Sequence, residues 1–476
     1  MADIGRLQVQ VFRGNTYVPI TNARVTVTPT SSANTTTNAT RETGTLTTNA
    51  EGQTQVIDLT APPVELSLDE NNTTQQPYST CDVTVEAEGY ETFIVRGCQI
   101  LPETTALQVC NLNPADIVPP ANAAGATTNG AVTEARNWWL REILEPARVV
   151  EVPANRLFGD FPPKIPEDPE KPLPPPPSGF VVLPRPVVPE FVVVHAGTPT
   201  NTAAPNYTVR FQDYIKNVAS SEIYATWPEN TIRANIYCIL SFTLNRIYTE
   251  WYRGKGYKFD ITNSTAFDHA FTYGRNIFDN INRIVDEIFT TYIRRRGAKQ
   301  PLLTQYCDGR QVQCPGWLTQ WGSKDLGDRG FTPYQILTNF YGTNIDLVQA
   351  EKVAGIPKSY PGYTLKIGSR GEPVRVIQTY LNRISQNYPA IPKVAVDGVY
   401  GPATANAVRT FQRIFNLPQT GEVDFATWYA ISNIYVGVTK IAELRSTVEP
   451  SIETGLFIPP SPYRNDINVP TVRYRK

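Results

Sequence analysis

The chain has 476 residues, of which 41% are hydrophobic and 11% aromatic, and its 43 Lys and Arg nearly balance its 44 Asp and Glu. This composition is typical of a globular protein, the length predicts about three domains, and the net charge of -1 predicts no nucleic-acid partner. No apolar run approaches the roughly 18 residues of a membrane helix, and the opening MADIGRLQVQ has no apolar signal region, so we expect neither a membrane span nor Sec export.

Residues 1–114 predict an N-terminal all-β sandwich. Apolar and polar residues alternate in RLQVQVF and ARVTVTP, as in a strand with one buried face. A strand, a turn and a strand are predicted in ETGTLTTNAEGQTQVIDL, and a hairpin is predicted in CDVTVEAEGYETFIV. Short strands at regular spacing predict an antiparallel sandwich of about seven strands. The arrangement resembles carboxypeptidase regulatory-like and transthyretin-like sandwiches, which implies a packing or masking module without chemistry of its own.

Residues 115–191 predict a connecting region. Residues 134–144 (EARNWWLREIL) predict a short helix, and its Trp138 and Trp139 are expected to dock on another domain. Residues 161–191 are rich in proline, which predicts an extended linker that proteases can reach.

Residues 192–355 predict an α+β middle domain with an unusual carboxylate. Phe211, Ile215 and Val218 follow a helical stripe, and the next position on that stripe is Glu222. Burial beside apolar groups raises the pKa of a carboxyl group, as a general acid near neutral pH requires. Glu222 is therefore a candidate catalytic acid; the alternative is a solvated or ion-paired Glu at a helix end.

Metal chemistry is not predicted, and no cofactor is expected. The six cysteines are not spaced as zinc ligands, and the only histidines are His195 and His269. Cys307 and Cys314 could bridge each other, but buried or free thiols are the preferred interpretation.

Residues 362–438 predict a small three-helix domain, followed by a tail at 439–476. GSRGEPVRVIQTYLN, VDGVYGPATANAVRTFQ and TGEVDFATW each read as a turn and a helix. The first two helices are expected to turn these residues inward: Val374, Ile377, Tyr380, Leu381, Ala403, Ala407, Val408 and Phe411. The three phrases resemble the three-helix peptidoglycan-binding domain, which implies anchoring to wall glycan or stem peptide; the alternative is a bundle that has lost binding.

Two stretches of the middle domain resemble the SpoIID/LytB family. SSEIYATWPENTIRANIYC (220–238) is similar to its opening motif, and CPGWLTQWGSKDLGDRGFTPYQILTNFYGT (314–343) to its closing motif. The resemblance implies that Glu222 is the catalytic acid. The Cys and the His–Cys pair that bind zinc in sporulation protein D are missing, so we expect no zinc. The family's Gly–His–Gly becomes Cys314, Pro315 and Gly316, so any role of its histidine has no counterpart here, while the acid is retained.

The substrate is expected to meet aromatic side chains. Trp227, Trp317 and Trp321 are candidate sugar-stacking platforms, with core packing as the alternative for each. Tyr306 and Gln320 are further candidate substrate-binding residues.

The domain order resembles the SleC family of clostridial spore cortex-lytic enzymes. The resemblance implies an enzyme stored as a zymogen in the cortex region of the spore, acting on cortex peptidoglycan during germination. It also implies that a subtilisin-like germination protease removes the sandwich by cutting near Val181 and Val182. Packaging by the mother cell would explain the missing signal region.

The expected activity is that of a lytic transglycosylase, in which one Glu serves as acid and then base and leaves a 1,6-anhydro-muramyl end. A muramidase needs a second carboxylate, for which Asp260, Asp268, Asp308 and Asp325 remain candidates. An N-acetylmuramoyl-L-alanine amidase and a non-catalytic wall-binding spore protein are two further candidate functions.

Overall fold

The computed structural model describes residues 3–14, 18–30, 44–115, 148–159, 186–189, 191–352, 361 and 363–439. The chain divides into two compact units, Met1–Ile356 and Pro357–Lys476. The helix predicted at 134–144, the cut predicted near Val181 and Val182, and the tail beyond residue 439 lie outside the described residues.

The described elements are as follows. The strands are β1 (Asp3–Arg13), β2 (Val18–Pro19), β3 (Arg24–Thr30), β4 (Gly44–Thr47), β5 (Ile57–Ala61), β6 (Ser79–Glu86), β7 (Phe93–Ile100), β8 (Thr105–Leu112), β9 (Val149–Glu151), β10 (Val187–Val188), β11 (Phe191–His195), β12 (Asn206–Arg210), β13 (Ile261–Thr262), β14 (Ile277–Phe278), β15 (Thr291–Arg295), β16 (Tyr306–Cys307), β17 (Leu318–Thr319), β18 (Ile345–Gln349) and β19 (Glu351–Lys352). The helices are α1 (Glu65–Leu68), α2 (Phe211–Glu222), α3 (Glu229–Tyr248), α4 (Asp279–Ile288), α5 (Gln320–Asp328), α6 (Pro333–Tyr341), α7 (Glu372–Ile384), α8 (Pro402–Ile414) and α9 (Phe425–Thr439).

The N-terminal strands form two sheets, as the alternating patterns predict. One sheet contains β1, β2, β5, β8 and β14, and the other contains β3, β4, β6, β7 and β9. Leu7, Val9 and Val11 of β1 are buried, because alternate residues of a strand share one face. The predicted β6–β7 hairpin is confirmed.

The expectation of purely antiparallel sheets was wrong. β1 pairs with β8 in parallel, and β7 pairs with β9 in parallel. The strand–turn–strand at 44–61 is not a hairpin either, because β4 pairs with β3 while β5 pairs with β1 in the other sheet. Alternation identifies a strand and its buried face, but it does not specify the neighbouring strand.

The sandwich and the middle region join through shared backbone and buried polar contacts. β14 extends the sandwich by pairing with β8. The Gln99 backbone exchanges two hydrogen bonds of 3.0 Å with the Asn276 side chain, and Gln99 Oε1 accepts one of 3.1 Å from Arg275. Burial lowers the pKa of Arg275 to about 10. Since these groups have left water, their mutual hydrogen bonds are needed to offset the cost of burial.

The middle region is built around two consecutive helices. The stripe predicted on α2 is confirmed, because Phe211, Ile215, Val218 and Glu222 are all buried. α3 packs against α5, α6 and β15 and is buried along most of its length. In the described part of the chain, no helix combines the length and hydrophobicity needed to cross a bilayer.

The second unit contains the three predicted helices, α7 to α9. All the residues expected to face inward are buried except Ala403, which is exposed. Thr404 takes the inward position instead, and its hydroxyl accepts a hydrogen bond of 3.2 Å from Gln378. The expectation erred because a threonine with a buried hydrogen-bond donor nearby can occupy a core position.

Two buried glutamines fix the turns between these helices. Gln378 on α7 accepts the Gly398 N–H at 2.8 Å, and Gln412 on α8 accepts the Gly421 N–H at 2.8 Å. Both glycines have φ above +70°, a conformation that glycine adopts without strain. The turn–helix repeat seen in the sequence thus rests on one repeated side-chain contact.

Substitution of Gly327 by Ala is expected to destabilise the first unit by about 1–3 kcal/mol, the usual cost of overpacking. A Cβ at this position of α5 would lie 1.9 Å from the Thr231 hydroxyl of α3. The free energy of unfolding, measured by urea titration, tests this expectation. Gly254→Ala is the control, because a Cβ there meets open space; equal losses in both variants would contradict it.

Candidate active site

Glu222 is the last residue of α2 and is only 3% exposed. Its side chain continues the apolar stripe of the helix, and the chain turns immediately afterwards into α3. Burial without compensating contacts would be costly for a carboxylate. The site therefore consists of the groups whose contacts with Glu222 offset the free-energy cost of burying its carboxylate.

Two donors hold the Glu222 carboxylate. The Ala270 backbone N–H donates to Oε1 at 2.6 Å, and the Tyr306 hydroxyl donates to Oε2. Burial, followed by the nearby Glu222 charge, raises the pKa of Tyr306 well above its usual value. Tyr306 therefore keeps its proton near neutral pH and remains a donor to Glu222.

A buried aromatic layer supports these donors. The Tyr214 hydroxyl and His269 Nδ1 share a hydrogen bond of 3.0 Å, and the His269 ring lies nearly parallel to Tyr306 at 5.9 Å between centroids. His269 directly precedes the residue whose N–H binds Glu222. The layer therefore positions both donors against the carboxylate.

Gln320 and Trp321 at the start of α5 link the backbone at the end of α2 to an aromatic cluster. Gln320 Nε2 donates to the Glu222 carbonyl oxygen at 3.3 Å. The Trp321 ring lies 4.9 Å from Trp227 and 6.3 Å from Tyr224, measured between centroids. Of the predicted substrate-binding residues, Tyr306 and Gln320 thus bind Glu222 directly, whereas Trp227 and Trp321 pack against each other.

Trp317 does not take part in this cluster. It is half-buried in the turn that follows Cys314. The loop before this turn, residues 307–314, is closed by a Cys307–Cys314 disulfide, so the interpretation of this pair as free thiols was wrong. The bridge flanks β16 and β17, which pair in parallel and place Tyr306 opposite Leu318.

The sandwich covers part of the aromatic cluster. Trp227 Nε1 donates to the Ser67 carbonyl oxygen of α1 at 3.0 Å, and the Ser67 hydroxyl lies 2.7 Å from the Thr226 hydroxyl. Segment 155–159 also reaches the end of α2, where Asn155 Nδ2 donates to the Ile223 carbonyl at 3.3 Å. The Glu222 side of the middle region therefore faces the sandwich in the full chain.

The four aspartates considered as a second carboxylate all have local partners. Asp260 pairs with Arg253 at 2.6 Å and Asp268 with Arg246 at 2.7 Å. Asp308 accepts two backbone N–H groups within its own turn, and Asp325 pairs with Arg329 on the exposed side of α5. Each of these four carboxylates therefore has a structural role within its own part of the chain.

Metal-binding groups do not cluster in the described part of the chain: no three His, Cys, Asp or Glu lie close enough together to hold an ion. Cys81, Cys98, Cys110 and Cys238 are buried outside the disulfide. The expectation that no zinc is bound stays a prediction.

Sequence reasoning did not identify Ala270, Tyr214 or Ser67 as parts of the site. Ala270 contributes a backbone N–H, which leaves no side-chain signal, and Ser67 contributes a carbonyl and a hydroxyl from a different predicted domain. Tyr214 lies two helical turns before Glu222, so its position on α2 is the one signal that could have indicated it.

Tyr306→Phe is expected to lower any glycan cleavage by roughly tenfold to a hundredfold, the cost of losing a hydrogen bond to a charged group. The ring would remain stacked on His269, so the fold should persist. The rate of muropeptide release measures the effect. Tyr292→Phe, the same change at a buried position of β15, is the control, and an unchanged rate for Tyr306→Phe would contradict the assigned role.

Comparison with known proteins identifies one region of the chain. Residues 370–431 match the family model of a peptidoglycan binding domain. A search of curated proteins found no similar sequence. The predicted three-helix peptidoglycan-binding domain therefore has independent support.

Similar solved structures are catechol dioxygenases. 3-Chlorocatechol 1,2-dioxygenase from Rhodococcus opacus 1CP is 12% identical with a TM-score of 0.16, over 24% of this chain and 60% of that chain. Catechol 1,2-dioxygenase from Acinetobacter radioresistens is 16% identical with a TM-score of 0.16, over 27% of this chain and 57% of that chain. The chain thus spans less than two thirds of either enzyme, and likeness at this TM-score carries no argument.

The matched region and the three helices of the second unit agree, since 370–431 extends from just before α7 into α9. The chain carries a peptidoglycan-binding domain at 370–431, which supports binding to the cell wall.

Proposed function

We propose that the chain is a peptidoglycan lytic transglycosylase of the spore cortex, with Glu222 as its catalytic acid. The observation that carries the proposal is Glu222 itself, a buried carboxylate held by Tyr306 and Ala270 in a segment that leads directly to the paired rings of Trp227 and Trp321. A wall-binding domain in the same chain supports peptidoglycan as the substrate.

The proposed reaction needs one carboxyl group. Protonated Glu222 gives its proton to the glycosidic oxygen as the bond to C1 of N-acetylmuramic acid breaks. The C6 hydroxyl of the same sugar then bonds to C1, and the Glu222 carboxylate takes the hydroxyl proton. The products are a 1,6-anhydro-muramyl end and a free 4-hydroxyl, with the acid regenerated.

The position of Glu222 suits this cycle. Burial and the C-terminal end of a helix both disfavour a negative charge, whereas the two donors favour it. Burial favours the protonated acid that the first step needs, and the Ala270 and Tyr306 donors would stabilise the carboxylate that takes up a proton in the second step.

A single-carboxylate mechanism is favoured over a muramidase because the candidate second carboxylates are engaged elsewhere. Asp268 is paired with the fully buried Arg246, and Asp308 caps its own turn. An inverting or retaining hydrolase would require one of them to face the sugar.

The sandwich acts as the masking part of a zymogen in this proposal. Its α1 contacts Trp227, and its neighbouring segment contacts the end of α2. A subtilisin-like germination protease would cut the proline-rich linker, and the wall-binding domain would hold the enzyme on cortex peptidoglycan. These roles rest on the resemblance to the cortex-lytic enzymes.

The test is digestion of purified cortex peptidoglycan by the full chain, before and after treatment with subtilisin, with muropeptides identified by mass spectrometry. Anhydro-muramyl ends released mainly after treatment are the expected result. Reducing ends would instead indicate a muramidase or glucosaminidase, and free stem peptides would indicate an amidase.

A non-catalytic wall-binding protein is the second candidate. The observation in its favour is that both Glu222 oxygens are engaged and the side chain is almost inaccessible, as in a purely structural buried Glu. Binding to cortex without any product, before or after protease treatment, would favour this candidate.

A further inference from the structure

The contact between α1 and Trp227 has the chemistry of a sugar-binding contact. The indole N–H donates to a carbonyl oxygen at 3.0 Å, and the adjacent Thr226 hydroxyl meets a second hydroxyl at 2.7 Å. The residue supplying both partner groups is Ser67, which is 0% exposed. Ser67 thus presents a carbonyl and a hydroxyl together at the edge of an aromatic cluster.

An N-acetylamino sugar presents the same pair of groups. Its acetamido carbonyl accepts from an N–H donor, a ring hydroxyl can bond a threonine, and its apolar face packs on an aromatic ring. We propose that Trp227, Thr226 and Trp321 form a subsite for an N-acetylamino sugar of the glycan strand, and that the α1 turn occupies this subsite in the full chain. The inference deepens the proposed function and rests on it.

The subsite lies beside the candidate acid. Trp227 follows Glu222 by five residues, on the turn between α2 and α3. Trp321 follows Gln320, which binds the Glu222 carbonyl. A sugar ring bound to the two tryptophans would therefore place an adjacent glycosidic bond on the Glu222 side of the cluster.

The α1 turn is held in place from both sides. The Val64 N–H donates to Asp3 of β1 at 2.7 Å, and Glu70 forms an ion pair with Arg310 of the middle region. An occupant tethered in this way competes at a high effective concentration, so a free sugar cannot displace it readily. The contact of Ser67 with Trp227 and Thr226 therefore keeps the sugar out of the subsite in the full chain.

The test uses the full chain and tri-N-acetylchitotriose as the probe, with binding measured by isothermal titration calorimetry. Ser67→Arg places a long charged side chain in a buried position and should dislodge α1, so we expect binding at least roughly tenfold tighter than in the unaltered chain. Thr73→Arg, which introduces the same side chain at an exposed position of the following loop, is the control and should leave binding unchanged.

Two more variants identify the subsite. Trp227→Phe in the Ser67→Arg chain keeps an aromatic ring but removes the N–H. It should weaken sugar binding about fivefold relative to Ser67→Arg alone, which is the cost of one hydrogen bond. Arg310→Glu breaks the pair with Glu70 at the surface and should tighten binding in the same direction. If Ser67→Arg fails to fold, Arg310→Glu by itself tests whether α1 occupies the sugar subsite. Sugar binding by the wall-binding domain is common to all variants and cancels in the comparison.

The outcomes separate this inference from the proposed function. Tighter binding that also persists with Glu222→Gln supports the subsite even if no glycan is cleaved. Unchanged binding in folded Ser67→Arg or in Arg310→Glu, or a gain that Trp227→Phe leaves intact, overturns the subsite even if anhydro-muropeptides are formed.

Discussion

Glu222→Gln is expected to reduce cortex cleavage by at least roughly a hundredfold, because a positioned general acid contributes about a hundredfold to ten-thousandfold. Glutamine matches the shape of the side chain and can still accept the Ala270 N–H, so the site should remain assembled. It cannot donate a proton to the leaving oxygen. Release of anhydro-muropeptides after protease treatment, quantified by mass spectrometry, measures the loss.

Glu229→Gln is the matched control for this variant. It makes the same chemical change at the start of α3, where Glu229 is paired with Arg233 and Arg283 at the surface. Cleavage should stay near that of the unaltered chain. If Glu222→Gln retained most of the activity, Glu222 would not be the acid; if it lost its fold and wall binding as well, Glu222 would be structural.

The position of Glu222 could be predicted from the sequence because a helix imposes its period on every side chain it carries. A carboxylate on the stripe of Phe211, Ile215 and Val218 had to be buried if α2 packed on that stripe, and it is. The groups that satisfy it could not be predicted. Ala270 and Tyr306 come from segments 48 and 84 residues away and contribute a backbone N–H and a phenol.

The packing of the sandwich against the middle region could not be predicted from the sequence either. β14 has two residues, too few for any periodic pattern, yet it extends a sheet whose other strands lie more than 160 residues earlier. Gln99, Arg275 and Asn276 are polar residues that look exposed in isolation. They are buried because each finds its partner in the other region.

The C-terminal helices show the complementary case. Turn residues predicted all three helices, and helical periodicity predicted the buried faces of α7 and α8, because these elements are local and amphipathic. Only Ala403 was misplaced, because the hydrogen bond between Thr404 and Gln378 makes a polar residue suitable for the core.

Asp268→Asn is expected to destabilise the first unit by about 3–5 kcal/mol, the usual cost of breaking a buried ion pair. Arg246 and Asp268 are both 0% exposed at the side chain and lie 2.7 Å apart. The substitution leaves the guanidinium buried without a counter-charge, surrounded by the rings of Phe242, Trp251 and Tyr252. The free energy of unfolding from urea titration measures the effect.

Asp260→Asn is the control, since its partner Arg253 is 35% exposed at the side chain and water can compensate its charge. We expect a clearly smaller loss for this variant. Equal losses would mean that burial of the Arg246 pair is not what makes it costly to break.

The Asp268→Asn variant also distinguishes a transglycosylase from a hydrolase, because Asp268 belongs to the loop whose Ala270 N–H holds Glu222. As a structural anchor, it should affect cleavage only in proportion to lost folding, and activity should return when the variant is stabilised at lower temperature. A variant that is fully folded yet inactive would instead make Asp268 the second carboxylate. The enzyme would then be a hydrolase, and its products should carry reducing rather than anhydro ends.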